Sequence, residues 1–125
     1  MPHVVLETVP PLDALAAALS TDPVRWGRAV LRTTGFWRRN DPPGALIEGV
    51  VVELSRPLHP VAIIAPRKTN LMVRLWPLVP VERTPAVQRW LATLAEAASR
   101  AGAGRVLATN IPETILSGLL PGRPD

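Results

Sequence analysis

Arg25, Arg28, Arg32, Arg38 and Arg39 follow one another with no acidic residue between Asp22 and Asp41, and Trp26, Phe36 and Trp37 are interleaved with them. Guanidinium groups track a phosphate backbone and an exposed indole can stack on a base. The run is therefore a candidate nucleic-acid patch made of Arg25, Arg28, Arg32, Trp37, Arg38 and Arg39. The plainer reading makes the same arginines the wet side of an amphipathic helix, with Trp26 in the core and Phe36-Trp37 anchoring a loop. Among the carboxylates, Glu48 lies near the centre of a candidate strand and is the general base to test if a substrate cleft exists; Glu53, five residues on, falls on the opposite face. A solvated sheet face is the simpler reading of both. His3 and His59 lack the spacing of a metal-binding pair, and with no cysteine there is no thiolate site, so no metal is expected. Trp76 and Trp90 flank Arg83 in sequence and read as core residues, or as the lining of a pocket or a dimer seam. No Gly-x-Ser-x-Gly, Walker or dinucleotide fingerprint occurs.

The 125-residue chain fits one domain spanning residues 1–125, and with 47% apolar residues it can bury a core. Its net charge of +4 comes from thirteen arginines and one lysine against ten acids. That balance suits a phosphate-bearing partner, although coding composition or a hot habitat would produce the same bias. The start Met1-Pro2-His3 lacks the layout of a signal peptide, and no apolar run reaches the length of a membrane span, so a cytoplasmic protein with no membrane partner is expected.

These residues need elements to hold them. Residues 3–9 read as a first strand, and Leu12, Leu15, Ala16 and Leu19 as a short helix. Asp22-Pro23 has the look of a helix start, and Trp26, Ala29 and Val30 recur at helical spacing, which predicts a second helix to about Thr33. Asn40-Asp41-Pro42-Pro43-Gly44 is a turn by composition. Strands are expected at 45–54, 60–65 and 71–81 as an antiparallel meander, with residues 55–59 as a hairpin connection and Pro77 and Pro80 splaying the third strand. Thr84-Pro85 opens a long amphipathic helix that stops at Gly102. A strand at 104–109 returns beside the meander, a short helix covers 112–120, and residues 121–125 form a frayed tail. The order β-α-α-β-β-β-α-β-α implies an α/β (α+β) domain with a mixed, mainly antiparallel sheet and helices on both faces.

Over residues 71–112 this order resembles the GNAT-type N-acetyltransferase fold without its last two strands. Members of that family leave the fourth strand through a turn of the form Q/R-x-x-G-x-G/A and then enter a helix. Here the chain reads Arg83-Thr84-Pro85-Ala86-Val87-Gln88 and then Arg89-Trp90-Leu91, followed by the small-residue exit from Ala97 to Val106 and by Asn110-Ile111-Pro112-Glu113. Ala86 and Gln88 stand where the family has glycines, and there is no tyrosine to serve as the family's general acid. The resemblance implies an acyl-CoA site. The backbone of Leu78, Val79 and Val81 would meet the pantetheine arm, Arg83, Ala86, Val87 and Gln88 the phosphates, and Asn110 the amide. The activity implied is acyl transfer to an amine. Three readings stand open: this divergent GNAT-like protein, a non-catalytic nucleic-acid-binding module using the patch from Arg25 to Arg39, and a structural homodimer without chemistry.

Overall fold

The computed structural model describes residues 1–120; the tail expected at 121–125 lies outside the described residues. The elements run β1 (His3–Leu6), α1 (Leu12–Ala18), β2 (Val24–Trp26), β3 (Ala29–Asn40), β4 (Pro43–Glu53), β5 (Arg56–Leu58), β6 (Val61–Pro66), β7 (Leu71–Leu75), α2 (Pro85–Ala98), β8 (Val106–Thr109) and α3 (Glu113–Leu116). The strands form one curled sheet in the order β2-β3-β4-β6-β7-β1-β8, with β5 paired to β4. Every pairing is antiparallel.

The α+β class agrees with the sequence, and four of its details do not. The helix expected at 22–33 is the β2–β3 hairpin, closed by the two-residue turn Gly27-Arg28, where Trp26 pairs with Ala29. Gly27 has φ 58, the backbone that a tight hairpin turn requires at its first central position. β-branched and aromatic residues from Val30 to Trp37 then extend the chain along a long β4 partner, which outweighs a local helical spacing of three apolar residues. The strand expected at 71–81 ends at Leu75, before the two prolines that cannot donate to a ladder. The sheet is not mixed, because β8 pairs with β1, and β1 itself lies between β7 and β8. Lastly, the helices do not cover both faces. Leu15 of α1, Val87, Trp90, Leu91 and Leu94 of α2, and Ile115 and Leu116 of α3 share one buried cluster with Val4, Leu31, Ile47, Val51, Ile64 and Val73. Among the described residues, α1, α2 and α3 thus sit on the concave face, and the convex face carries no helix.

The helix α2 is the part most directly dictated by sequence. Thr84 Oγ1 accepts from Val87 N at 3.2 Å, Pro85 begins the first turn, and Gly102, at φ 119, ends a last, widened turn over Ser99–Ala103. At its centre Trp90 is 1% exposed and donates its indole N–H to Thr33 Oγ1 at 3.1 Å. The ring lies directly on β4 at Gly49, where an added Cβ would come within 2.4 Å of Trp90 Cε2. Opposite Gly49, β3 carries a bulge between Thr33 and Gly35. A bulge bends its strand and strengthens the local twist, so the sheet curls at the point where the indole enters.

At the far end of the sheet, Glu7 accepts from Arg105 N at 2.7 Å and Arg105 Nε at 3.2 Å. The backbone hydrogen bond, aided by the side-chain one, holds the Glu7 carboxyl below its ordinary value.

Two outcomes are expected. Gly49→Ala forces the buried ring to move and should cost about 1–3 kcal/mol, and Thr33→Val, which strands the indole N–H, about 1–3 kcal/mol; unchanged urea midpoints in both variants would remove Trp90 as the anchor of the curl. Because its folded-state pKa is depressed, Glu7 contributes stability above its ordinary pKa that is lost as pH falls through the lower folded-state value. Stability measured against pH should therefore fall less steeply on the acid side in Glu7→Gln than in the native chain, and identical slopes would refute the assignment.

Candidate functional site

The convex face is built by residue alternation along the strands. Registers place Trp37 beside Leu46, Leu46 beside Ile63, Ile63 beside Arg74, and Arg74 beside His3, one continuous row across β3, β4, β6, β7 and β1. From Trp37 to Arg74 this row crosses three strand spacings, about 14 Å. Trp37 is 62% exposed, and its Nε1 donates to Glu48 Oε1 at 2.5 Å. An added Cβ at Gly35 would stand 3.1 Å from that nitrogen, so the indole leans back over Gly35 with its edge anchored and a face open. Trp76, just beyond β7, is held by its backbone N–H to Val61 O at 2.7 Å. Between Trp37 and Trp76 lies a trough of about 160 Å³ floored by Leu46 and Ile63 and bordered by Arg39.

The expected arginine patch is not one cluster. Arg25 pairs with Val30 and faces out on the convex side, while Arg28 is in the hairpin turn. Arg32 donates through Nε to Thr21 O at 3.0 Å. Arg38 and Arg39 lie at the far end of β3, about 35 Å from Arg28 along the strand. Arg38 is turned to the concave side, in an ion pair with Asp13 of α1, and Arg39 donates to Pro42 O at 2.9 Å. Trp37 and Arg39 are thus brought to the trough, Arg25 and Arg28 are not, and Arg38 touches it only at the rim. Glu48, considered above as a base, is the acceptor that positions Trp37.

The residues expected around an acyl-CoA are also distributed. Val79, Val81 and Arg83 share a depression of about 230 Å³ with Met1, Trp76 and Pro80. Leu78 is 75% exposed nearby. Ala86 and Val87 are fully buried against the core. The α2 N-terminus offers few free donors, since Pro85 has no N–H. Val87 N is capped by Thr84, Gln88 N bonds Thr84 O at 3.0 Å, and Gln88 Nε2 reaches back to Arg83 O at 3.0 Å. Asn110 uses both ends of its amide on the start of β1, accepting from His3 N at 2.9 Å and donating to Met1 O at 2.8 Å. With β1 between β7 and β8, there is no splayed gap between those two strands.

No protein-family model, curated protein or solved structure matches this chain. The site must therefore be read from its own geometry. Among the described residues no three metal-ligating side chains converge, and no helix is long and apolar enough to cross a membrane.

Sequence reasoning missed Leu46, Ile63 and Arg74 as members of the row on the convex side of the sheet. The signal was the alternation along β6 and β7, in which Ile63 and Arg74 fall out of phase with the core residues Ala62, Ile64, Val73 and Leu75. It also missed Arg89. The Arg89 guanidinium stands 5.6 Å above the Trp26 ring and donates to Ile115 O and Ser117 O at 2.8 and 2.7 Å, tying α3 to α2; burial pushes its pKa down.

Proposed function

We propose that this protein is a non-catalytic module that binds single-stranded nucleic acid across the convex face of its sheet. The observation that carries the reading is the trough between Trp37 and Trp76. Two indoles with an apolar floor of Leu46 and Ile63 make a slot the size of a base, and every base offers a face on which to stack. Charge supports the same partner. Arg25, Arg39 and Arg74 face outward from this sheet surface, and the Glu48 carboxylate on it is already bonded to Trp37. A second copy docked on the same face by a two-fold axis would bring arginines against arginines, whereas a phosphate backbone neutralises them.

The competing reading, an acyl-CoA-binding GNAT-like protein, draws support from the depression shared by Val79, Val81 and Arg83. The helix terminus counts against it, because a pyrophosphate is held by open N–H groups, and here Pro85 has none and that of Val87 is already capped by Thr84.

Fluorescence anisotropy with a short single-stranded thymidine oligonucleotide tests the first reading. Trp37→Ala and Trp76→Ala should each weaken binding by about 1–3 kcal/mol. Arg39→Ala should reduce the slope of log affinity against log salt by about 0.7. Binding that is indifferent to salt, or unchanged in both tryptophan variants, would sink the proposal. Calorimetry with acetyl-CoA decides the second. Heat that disappears in Arg83→Ala would revive it, and no heat at millimolar ligand would end it.

A further inference from the structure

A second opening lies on the concave side, away from the trough. The C-terminal end of α1 (Ala18, Leu19, Ser20), Asp22, Val24 of β2, Leu31 and Thr33 of β3, and the α2 face from Trp90 to Arg100 enclose a cavity of about 170 Å³. That is close to the ~150 Å³ of an apolar cavity able to take up a benzene ring. Its apolar part is formed by Leu31, Leu94 and Ala97 beside the Trp90 ring, with the hydroxyls of Ser20, Thr33 and Thr93 among them and charged residues at the rim.

One polar group on this wall is incompletely used. Thr33 is 8% exposed and its oxygen accepts the Trp90 indole N–H at 3.1 Å. A hydroxyl also has one hydrogen to donate, and among the described residues that hydrogen has no acceptor. A donor at this depth costs stability until something accepts from it.

The rim of the cavity is electrically balanced. Asp22 and Glu96 are matched by Arg32 and Arg100, and Arg100 is already bonded to Glu96 at 2.5 and 3.1 Å. Arg32 is engaged with Thr21 O. Two acids and two arginines leave the rim with no net charge to favour an ionic ligand of either sign.

We propose that this cavity is a binding site for a small uncharged ring compound carrying one hydrogen-bond acceptor, which takes the hydroxyl hydrogen of Thr33 while its ring fills the space between Leu31, Leu94 and Ala97. The site is independent of the nucleic-acid reading, because no residue of the Trp37–Trp76 trough lines it.

Acetophenone is a suitable probe, with ethylbenzene as the same shape without the acceptor and benzoate as the charged comparator. In NMR titrations of the full chain, acetophenone should shift the Trp90 indole N–H and the amides of Thr33, Leu94 and Ala97. It should bind about tenfold more tightly than ethylbenzene, the worth of one hydrogen bond to a buried donor. Thr33→Ser should keep that preference and Thr33→Val erase it. Ala97→Leu should fill the cavity and block both ligands while the spectrum stays that of a folded chain. If Thr33→Val does not fold, Thr33→Ser and Ala97→Leu decide the matter. No shifts at millimolar acetophenone, equal affinity for ethylbenzene, tighter binding of benzoate, or undiminished binding to folded Ala97→Leu would each overturn the assignment.

Discussion

Everything in this molecule is arranged around one indole. Trp90 has to reach the sheet at a position with no side chain, and Gly49 provides it. Its buried N–H has to find an acceptor, and Thr33 provides that. The contact fixes how deep α2 sits, and the depth of α2 fixes how tightly the sheet curls. Trp90 meets β4 at Gly49 and β3 at Thr33, so a shift of α2 is felt by both strands.

The bulge opposite Gly49 links the inside of the protein to its outside. Thr33 and Trp37 are four residues apart, and in a regular strand they would share a face. The extra residue between Thr33 and Gly35 reverses the alternation, which leaves Thr33 facing the core while Trp37 and Arg39 face solvent. The same irregularity that receives Trp90 inside therefore presents Trp37 outside. Phe36, shifted in the opposite sense, turns inward and packs on the core cluster.

The legible parts of the fold were those in which local signals agree with tertiary ones. Thr84-Pro85 and Gly102 bracket α2 as capping chemistry requires, and β1, α1, β4, β6 and β8 lie where periodicity places them. The β2–β3 hairpin was hidden because Asp22-Pro23 resembles a helix start and Trp26, Ala29 and Val30 fall at helical spacing. The contrary signal, Gly27 before a β-branched run, was present but weaker. The bulge then broke the period of two at the residues that matter most for the site, so no pattern in sequence places Trp37 and Thr33 on opposite faces. Trp37 and Trp76 could each be named from the sequence, one in the arginine patch and one as a pocket candidate, but not as partners across one trough. That pairing depends on β4 and β6 lying between the two indoles, which is a matter of strand order and not of spacing.

The position of β1 has a consequence for how the chain acquires this shape. It precedes the other described strands in the chain, yet its two neighbours are Leu71–Leu75 and Val106–Thr109. The β2–β3, β3–β4 and β6–β7 hairpins can close as they emerge, since each links strands adjacent in the chain. β1 has to wait as an unpaired apolar segment, with Val4 and Leu6 uncovered, until most of the protein has followed it. Contacts of such long sequence separation close late and slowly. The seam on either side of β1 is thus the last part of the sheet to form, and it is the natural place for a nascent or partly unfolded chain to accept a foreign strand.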